Sequence, residues 1–586
     1  MINITKKLFN IFESRQQHQI FLLGIMMLIG GIMESLSVSL MLPVITAIMN
    51  SDTWNDAAYV RVVCDIFHIT DQRTYIELLL LALIAIFIIK NAYLLFMYRV
   101  QYTFITKNRI RLQRKLMHSY MQKPYAYFLQ ASTGEIIRIV VNDTNDTFSL
   151  LSTVLSFYTE LIVALVLGIT IFALSPIIGC SMAIILLVEV AVIARIVKPM
   201  LRNRGDNQRI ERAASNKWML QSINGIKSIK VANRQDFFEE KYGNHADKGA
   251  IYERSFNIWS QVPRLTIEAF TITGVIFMLL IFVMVGMDLA SLIPQLSAFV
   301  VAAVRLLPSA NRISTSVNQV PYYEGALDNL IATMASEKET EQTVINQSNE
   351  GMASEPNVLP TITFNKNIVF NQVTFSYPDG VAPVLNSANM EILPGQSVGV
   401  IGTSGAGKTT AIDIMLGLLM PQSGKVLVDD VDIHDNINGW RKLLGYIPQT
   451  IFLMDDTIRE NVAFGMHRDE IDDEQVWRAL RDAQLEDMVK ALPDQLDARI
   501  GEAGVRISGG QRQRLGIARA LYNNPEILFF DEATSALDNE TEAAIMESID
   551  NLKGRKTMVI IAHRLTTIEN CDLVYRVGDG KITRER

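Results

Sequence analysis

Cysteine is scarce. Cys64, Cys180 and Cys571 are the only three among 586 residues, far apart and without a CxxC pair, which argues against a disulfide framework or a zinc cluster. Neither sign of charge dominates: 54 lysines and arginines face 61 aspartates and glutamates, a formal charge of −7. The overall balance therefore offers no basic face to nucleic acid. Residues 1–19 are polar and mixed in charge, without the short apolar core and small-residue cleavage site of a signal peptide. The first apolar run is thus expected to stay in the mature chain. What is abundant is apolar: hydrophobic residues make up 49% and mean hydropathy is +0.20, in a chain long enough for roughly three or four domains.

The apolar residues concentrate in the first half. Runs near 20–49, 75–98, 153–174, 177–197, 265–286 and 289–310 are each long enough to span a bilayer, since about 20 helical residues cover about 30 Å of hydrocarbon. Buried core helices are the bland alternative, but soluble cores rarely need runs such as Leu78 to Ile89 or Phe277 to Val285. Orientation follows from basic residues. Arg99, Lys107, Arg109, Arg111, Arg114 and Lys115 follow the second run, and Lys198, Arg202, Arg204, Arg209 and Arg212 follow the fourth. Both segments, and with them both termini, are expected in the cytosol. The acidic loop from Ser51 to Thr74 is expected outside, and its stretch from Ala57 to Phe67 reads either as a surface amphipathic helix or as a packed turn. The cytosolic segments look helical at Arg109 to Met121 and Gln208 to Ile223, ending in turn-prone Ser132-Thr133-Gly134-Glu135 and Asn224-Gly225. Such turns are suited to contact a cytosolic engine.

Ionisable residues inside spans are costly and face protein or a wet cavity. Lys90 and Glu189 fall at matching depth, as do Glu268 and Arg305, so each pair reads either as two groups that meet or as residues satisfied singly by neighbouring helices or by snorkelling. Glu34 has no depth-matched partner and reads either as a cavity-facing group or as one satisfied by neighbouring helices. Pro43 and Pro308 are expected to bend their spans.

The segment from Ala335 to Pro360 is polar, lacks apolar periodicity and reads as a tether. The predicted organisation is a helical membrane domain over 1–334, a linker over 335–360, and an α/β domain over 361–586. The fold class is an all-α six-span transmembrane domain followed by an α/β domain that its motifs make a P-loop nucleotide-binding domain.

The α/β domain carries the chemistry. Gly402-Thr403-Ser404-Gly405-Ala406-Gly407-Lys408-Thr409 follows the apolar run Ser397 to Ile401 and precedes a helical pattern through Ile412, Met415 and Leu416, with Thr410 expected beside the loop among the nucleotide-binding residues. Glycines let the backbone turn tightly so that its N–H groups cradle phosphate at a helix N-terminus. Lys408 adds charge for the β- and γ-phosphates, and the Thr409 hydroxyl suits Mg2+. Ile527 to Phe530 is a buried-strand pattern ending in Asp531 and Glu532. The first acid suits Mg2+ and the second the attacking water. Tyr377, before Pro378-Asp379-Gly380, reads as an adenine-stacking ring or as plain packing. Ser508, Gly509, Gly510 and Gln511 open a second helix and form a second phosphate-type cradle. It cannot serve the same nucleotide face unless two copies meet.

With these motifs in place the chain resembles an ABC transporter of exporter type in half-transporter form, over essentially its whole length. In that resemblance 402–409 is the Walker A loop and Tyr377 the adenine-stacking aromatic. Gln449, in Tyr446-Ile447-Pro448-Gln449, is the Q-loop glutamine, which also contacts the metal. Residues 507–511 match the signature motif, with Ile507 where leucine is usual. Asp531 and Glu532 match Walker B and the catalytic glutamate, Asp538 in Ser535-Ala536-Leu537-Asp538 the D-loop, and His563 the switch histidine. The resemblance implies ATP and Mg2+ as ligands. It also implies a second copy of the chain whose Ser508-Gly509-Gly510 completes each ATP site. No ATPase motif is degenerate, which favours a homodimer.

The first and sixth spans look most like lipid-linked oligosaccharide flippases of the PglK type. Arg305 and Arg312, near the inner cavity, would then meet a pyrophosphate, unless they pair with Glu268 or other acids or face solvent. Exporters of a peptide, drug or ordinary lipid share the engine, and an ATP-gated channel or regulator is the alternative of another class. The resemblance implies membrane lipid as a neighbour, no nucleic-acid partner, and a bacterial inner membrane.

Overall fold

The computed structural model describes residues 1–39, 65, 68, 71–174, 195, 198–284, 308–336, 360–378, 380, 382–501, 507–532, 546–547, 549–561 and 568–586. It divides into two compact units. One holds Met1–Gln122 and Ser132–Glu350, the other Lys123–Ala131 and Gly351–Arg586.

The first unit is helical. Its elements are α1 (Ile2–Ile11), α2 (Ser14–Ser39) and α3 (Gln72–Gln122). After α4 (Tyr125–Gln130), which belongs to the other unit, come α5 (Thr133–Ile137), a π-helical turn (Arg138–Asp143) and α6 (Thr144–Leu174). Then follow α7 (Lys198–Asn224), α8 (Ile226–Ala232), α9 (Gln235–Met284) and α10, described over 308–336. Among the described residues three helices are long and apolar enough to cross a membrane: Ser14–Glu34, Gln72–Gln122 and Thr133–Ile169. They carry the first three expected spans. The fourth lies outside the described residues apart from Arg195, the fifth falls on α9, and only 308–310 of the sixth is described. At 1.5 Å per residue α3 runs for about 77 Å, far beyond a bilayer core.

Close approach explains the packing of α2. A Cβ on Gly31 would sit 2.9 Å from the Ile162 side chain, and one on Gly30 3.3 Å from Leu94. The Tyr93 hydroxyl donates to the Met26 carbonyl at 2.8 Å, tying α3 to α2. The polar N-terminus is itself a helix: α1 buries Ile4 and Leu8 and sends Lys7 to Asp328 on α10 at 2.8 Å.

Two expectations shift. The turn placed at Ser132-Thr133-Gly134-Glu135 is a helix start, with the Glu135 and Ile136 amides donating to the Ser132 carbonyl. The break comes earlier, at Pro124, which precedes α4. The Asn224-Gly225 break is present, and a left-handed Asn233 (φ 54°) closes α8. The stretch Ala57 to Phe67, read as helix or packed turn, and Pro43 lie outside the described residues, apart from Asp65.

The second unit is an α/β domain. Strands β1 (Ile368–Phe375), β2 (Leu385–Ile392), β4 (Ser423–Val428) and β5 (Val431–Asp432) form an antiparallel sheet in the order β2-β1-β4-β5. The second sheet contains β3 (Ser397–Ile401), β6 (Leu444–Ile447), β7 (Ile527–Asp531), β8 (Thr557–Ile561), β9 (Leu573–Gly578) and β10 (Lys581–Arg584). Its order is β10-β9-β3-β8-β7-β6, parallel apart from β10. Every residue of β7 and β8 is buried, as expected of a parallel sheet covered on both faces. Helix α11 (Lys408–Met415) packs between the sheets, with Trp440 of α12 (Ile437–Lys442) fully buried and donating from Nε1 to the Met415 carbonyl. A separate core gathers α13 (Ile458–Val462), α14 (Asp473–Asp482), α15 (Glu486–Lys490) and α16 (Gly509–Leu521).

Candidate functional site

The site forms where neighbouring parallel strands end at the same sheet edge. Strand β3 runs into the loop 402–407 and then α11. Gly402 (φ 154°), Gly405 (φ 79°) and Gly407 (φ 100°) all have positive φ. A Cβ on Gly402 would lie 2.3 Å from the Val577 carbonyl oxygen, and one on Gly407 2.7 Å from Val384, so glycine is needed on steric grounds too. Ala406 closes the loop, its amide donating to the Thr403 carbonyl at 3.2 Å. Ser404 is exposed at the tip. The Lys408 ammonium donates to the Gly402 and Thr403 carbonyls at 3.0 Å each, which holds a buried cation inside the loop.

Strand β7 brings the acids. Asp531 Oδ1 lies 3.5 Å from the Thr409 hydroxyl. Burial first, then the adjacent Glu532 charge, push the Asp531 carboxyl above its usual range, against the pull of Thr409 and Lys408. A divalent cation between Thr409 and Asp531 would offset that cost, so these residues fit Mg2+. Glu532 sits at φ 50° with its amide donating to Ile561 of β8. Its carboxylate accepts from the Gln449 amide at 2.6 Å. A strained backbone position at a catalytic-type carboxylate is where such strain is expected.

Tyr377 packs edge-on to Phe375, and its hydroxyl lies 3.1 Å from that of Thr410. Ser508 caps α16 in a reciprocal box: its hydroxyl accepts from the Gln511 amide, and the Gln511 side chain accepts from the Ser508 amide at 2.9 Å. Gly509 and Gly510 form the first turn of α16. Asp538 and His563 lie outside the described residues.

Three groups near this site were not read from the sequence. Asp413 on α11 is buried, and burial with the Asp531 charge pushes its carboxyl up to about 6. Burial, then Asp531 and Asp413, push the Tyr446 phenol up. Tyr125 of α4 is raised by burial and then by Asp413 and Tyr377. The signal for α4 was the aromatic run Tyr125-Ala126-Tyr127-Phe128 after Pro124, an apolar patch with no span to belong to.

In the helical unit Arg312 donates to Glu160 of α6 at 2.5 Å, and Glu160 is buried. Glu160 was hidden inside the third apolar run. Glu34 is half-buried on α2. Lys90 is buried with its ammonium 4.5 Å over the Phe87 ring, and Glu268 is exposed on α9. Their depth-matched counterparts Glu189 and Arg305 lie outside the described residues.

Comparison with known proteins agrees with this arrangement. The ABC transporter profile matches residues 385–535, and that of the ABC transporter transmembrane region matches 20–303. A multidrug resistance ABC transporter ATP-binding and permease protein of Lactococcus lactis is 30% identical over 82% of this chain and 78% of its own length. An ATP-dependent lipid A-core flippase of Cupriavidus metallidurans is 27% identical over 82% of the chain and 78% of the relative. A protein of the same name from Methylobacillus flagellatus is 30% identical over 66% of the chain, a match spanning 63% of that relative. The structure of a bacterial Atm1-family ABC exporter with ATP bound shares the fold, with a TM-score of 0.70 at 20% identity over 98% of this chain and 95% of that one. The chain belongs to the ABC transporters, ATP-hydrolysing transport proteins, and joins a helical membrane domain to the ATPase domain in one polypeptide.

Proposed function

We propose that this protein is an ATP-driven exporter or flippase that moves an amphipathic lipid, most specifically a lipid-linked oligosaccharide, across a bacterial inner membrane. The observation that carries the ATPase part is the convergence of Lys408, Thr409, Asp531, Glu532 and Gln449 at one sheet edge.

The loop 402–407 and Lys408 take the β- and γ-phosphates, and Tyr377 takes the adenine by stacking. Thr409, Asp531 and Gln449 would hold Mg2+, which would supply charge compensation at the phosphates. The Glu532 carboxylate, oriented by Gln449, accepts a proton from the attacking water. His563 contacts the γ-phosphate, and Asp538 belongs to the face between copies. Two chains form a homodimer in which Ser508, Gly509, Gly510 and Gln511 of each cover the ATP held by the other. ATP shifts the pair toward closure only because it binds the closed arrangement more tightly.

The cargo reading rests on three supports. Relatives are named lipid A-core flippases. The first and sixth spans resemble oligosaccharide-lipid flippases. Glu34 and Arg305 fall in the expected first and sixth spans, and Arg312 just past the end of the sixth, near the inner cavity where a charged head would pass. Arg312 reaches that role only by exchanging its Glu160 partner for phosphate. The basic segments after the second and fourth spans support cytosolic termini. A second reading, export of drug-like amphiphiles, is favoured by the name of the Lactococcus relative. The test is ATPase stimulation in proteoliposomes by a polyprenyl-pyrophosphate oligosaccharide compared with drugs. Stimulation by drugs alone would move the assignment to the second reading.

A further inference from the structure

A groove of about 860 Å3 lies along the seam between α2 and α3 of the helical unit. Its two ends differ in chemistry. One end is apolar, with Leu22 and Phe96 both 58% exposed. The other is lined by Arg15, Arg99, Lys107, Arg111 and Arg114, and among the described residues no acid lines the groove. Phe96, Arg99, Thr103, Lys107 and Arg114 follow helical spacing, so α3 presents them as one stripe.

Where the character changes matters. On α2 the apolar run begins just after Arg15 and Gln19, and on α3 it ends just before Arg99. The two boundaries meet across the groove, at the level where hydrocarbon gives way to headgroups. The floor is rigid. Gln16 and Asn108, both buried, bond to each other at 2.7 Å. Asn108 also donates to the Phe104 carbonyl, and Gln16 accepts from the Glu13 amide. The Tyr93–Met26 bond fixes the two helices at the far end. Arg111 is engaged by Glu13 at 2.8 Å. Arg15, Arg99, Lys107 and Arg114 are exposed and have no ion pair among the described residues. Four free cations around a fixed floor, opening onto exposed apolar side chains, match an anionic head with acyl tails.

We propose that this groove binds an anionic glycerophospholipid of the surrounding leaflet, its phosphate among Arg15, Arg99 and Lys107 and its tails along Leu22 and Phe96. The site rests on the membrane reading of the helical unit and on no assignment of cargo.

The test is native mass spectrometry of the full chain in detergent with phosphatidylglycerol, phosphatidylethanolamine or inorganic phosphate. Phosphatidylglycerol is expected to be retained preferentially. The Arg15→Gln/Arg99→Gln/Lys107→Gln variant should hold it about tenfold to a hundredfold more weakly. Lys227→Gln/Lys230→Gln/Lys248→Gln, which removes three exposed cations elsewhere, should not weaken it. Equal loss in both variants, equal retention of phosphatidylethanolamine, or displacement by phosphate alone would overturn the proposal. Photo-crosslinking of the unaltered protein with photoreactive phosphatidylglycerol is an independent measure. Labelling is expected within 15–26 and 96–114, and labelling confined elsewhere contradicts the site.

Discussion

In the α/β unit, groups distant in sequence reach one sheet edge because β3, β7 and β8 are adjacent parallel strands ending together. In the helical unit, polar groups are strung along long helices and find partners singly, as Arg312 finds Glu160 and Gln16 finds Asn108. The difference is one of chemical tolerance. Phosphate binding accepts few residue types at few spacings, whereas hydrocarbon accepts any apolar side chain. One half is therefore a set of near-obligatory residues, and the other a set of interchangeable ones punctuated by rare, paired polar groups.

Substitutions should separate the halves by size of effect. Glu532→Gln removes the proton acceptor but keeps shape, so kcat for ATP should fall about 10²–10⁴-fold while nucleotide binding persists. Radioactive phosphate release alongside nucleotide binding checks both. An effect below about tenfold would place the base elsewhere. Gly402→Ala combines a disfavoured φ with a Cβ 2.3 Å from the Val577 carbonyl, for a destabilisation of about 3 kcal/mol. Calorimetry should show the ATPase transition shifted and the membrane transition unmoved.

Arg312→Gln leaves the buried Glu160 carboxylate unpaired. The arginine is 61% exposed, so the cost is discounted to about 1 kcal/mol. Glu160→Gln/Arg312→Gln should recover part of it in a thermal-shift assay. If the double variant is no better than the single one, the two residues do not act as a pair.

Much of the candidate site could be read from sequence because its motifs are local. Loop 402–409 needs only its own strand and helix, and Asp531–Glu532 need only the end of β7. Tyr125 and Asp413 were not legible, since their place at the site depends on how α4 and α11 pack. In the helical unit the first three spans could be read from hydropathy, but their partners could not. Glu160 passed unread inside the third apolar run, and α1 read only as a polar stretch of mixed charge. Helix spacing fixes which residues share a face, but not which helix that face meets.

The smallest expected effect lies at the edge of the α/β unit. Asp429 (φ 47°) accepts from the amides of Asn365, Lys366 and Asn367. Partial burial pushes its carboxyl up, but those three bonds together outweigh it and hold it below the usual range. A depressed carboxyl stabilises the fold above its unfolded value of about 3.9 and loses that contribution as pH falls through the folded value. The stability gap between the natural protein and Asp429→Asn should thus be present at neutral pH and close in acid. A gap that widens in acid would contradict the reading.

The most direct test is ATP hydrolysis by the purified chain in lipid, with and without a polyprenyl-pyrophosphate oligosaccharide and with Glu532→Gln as the blank. Hydrolysis that depends on Glu532 and rises with that lipid is the predicted result. Hydrolysis absent in the natural protein would contradict an ATP-driven exporter and bring forward an ATP-gated channel or regulator, whereas hydrolysis unchanged in Glu532→Gln would place the base elsewhere.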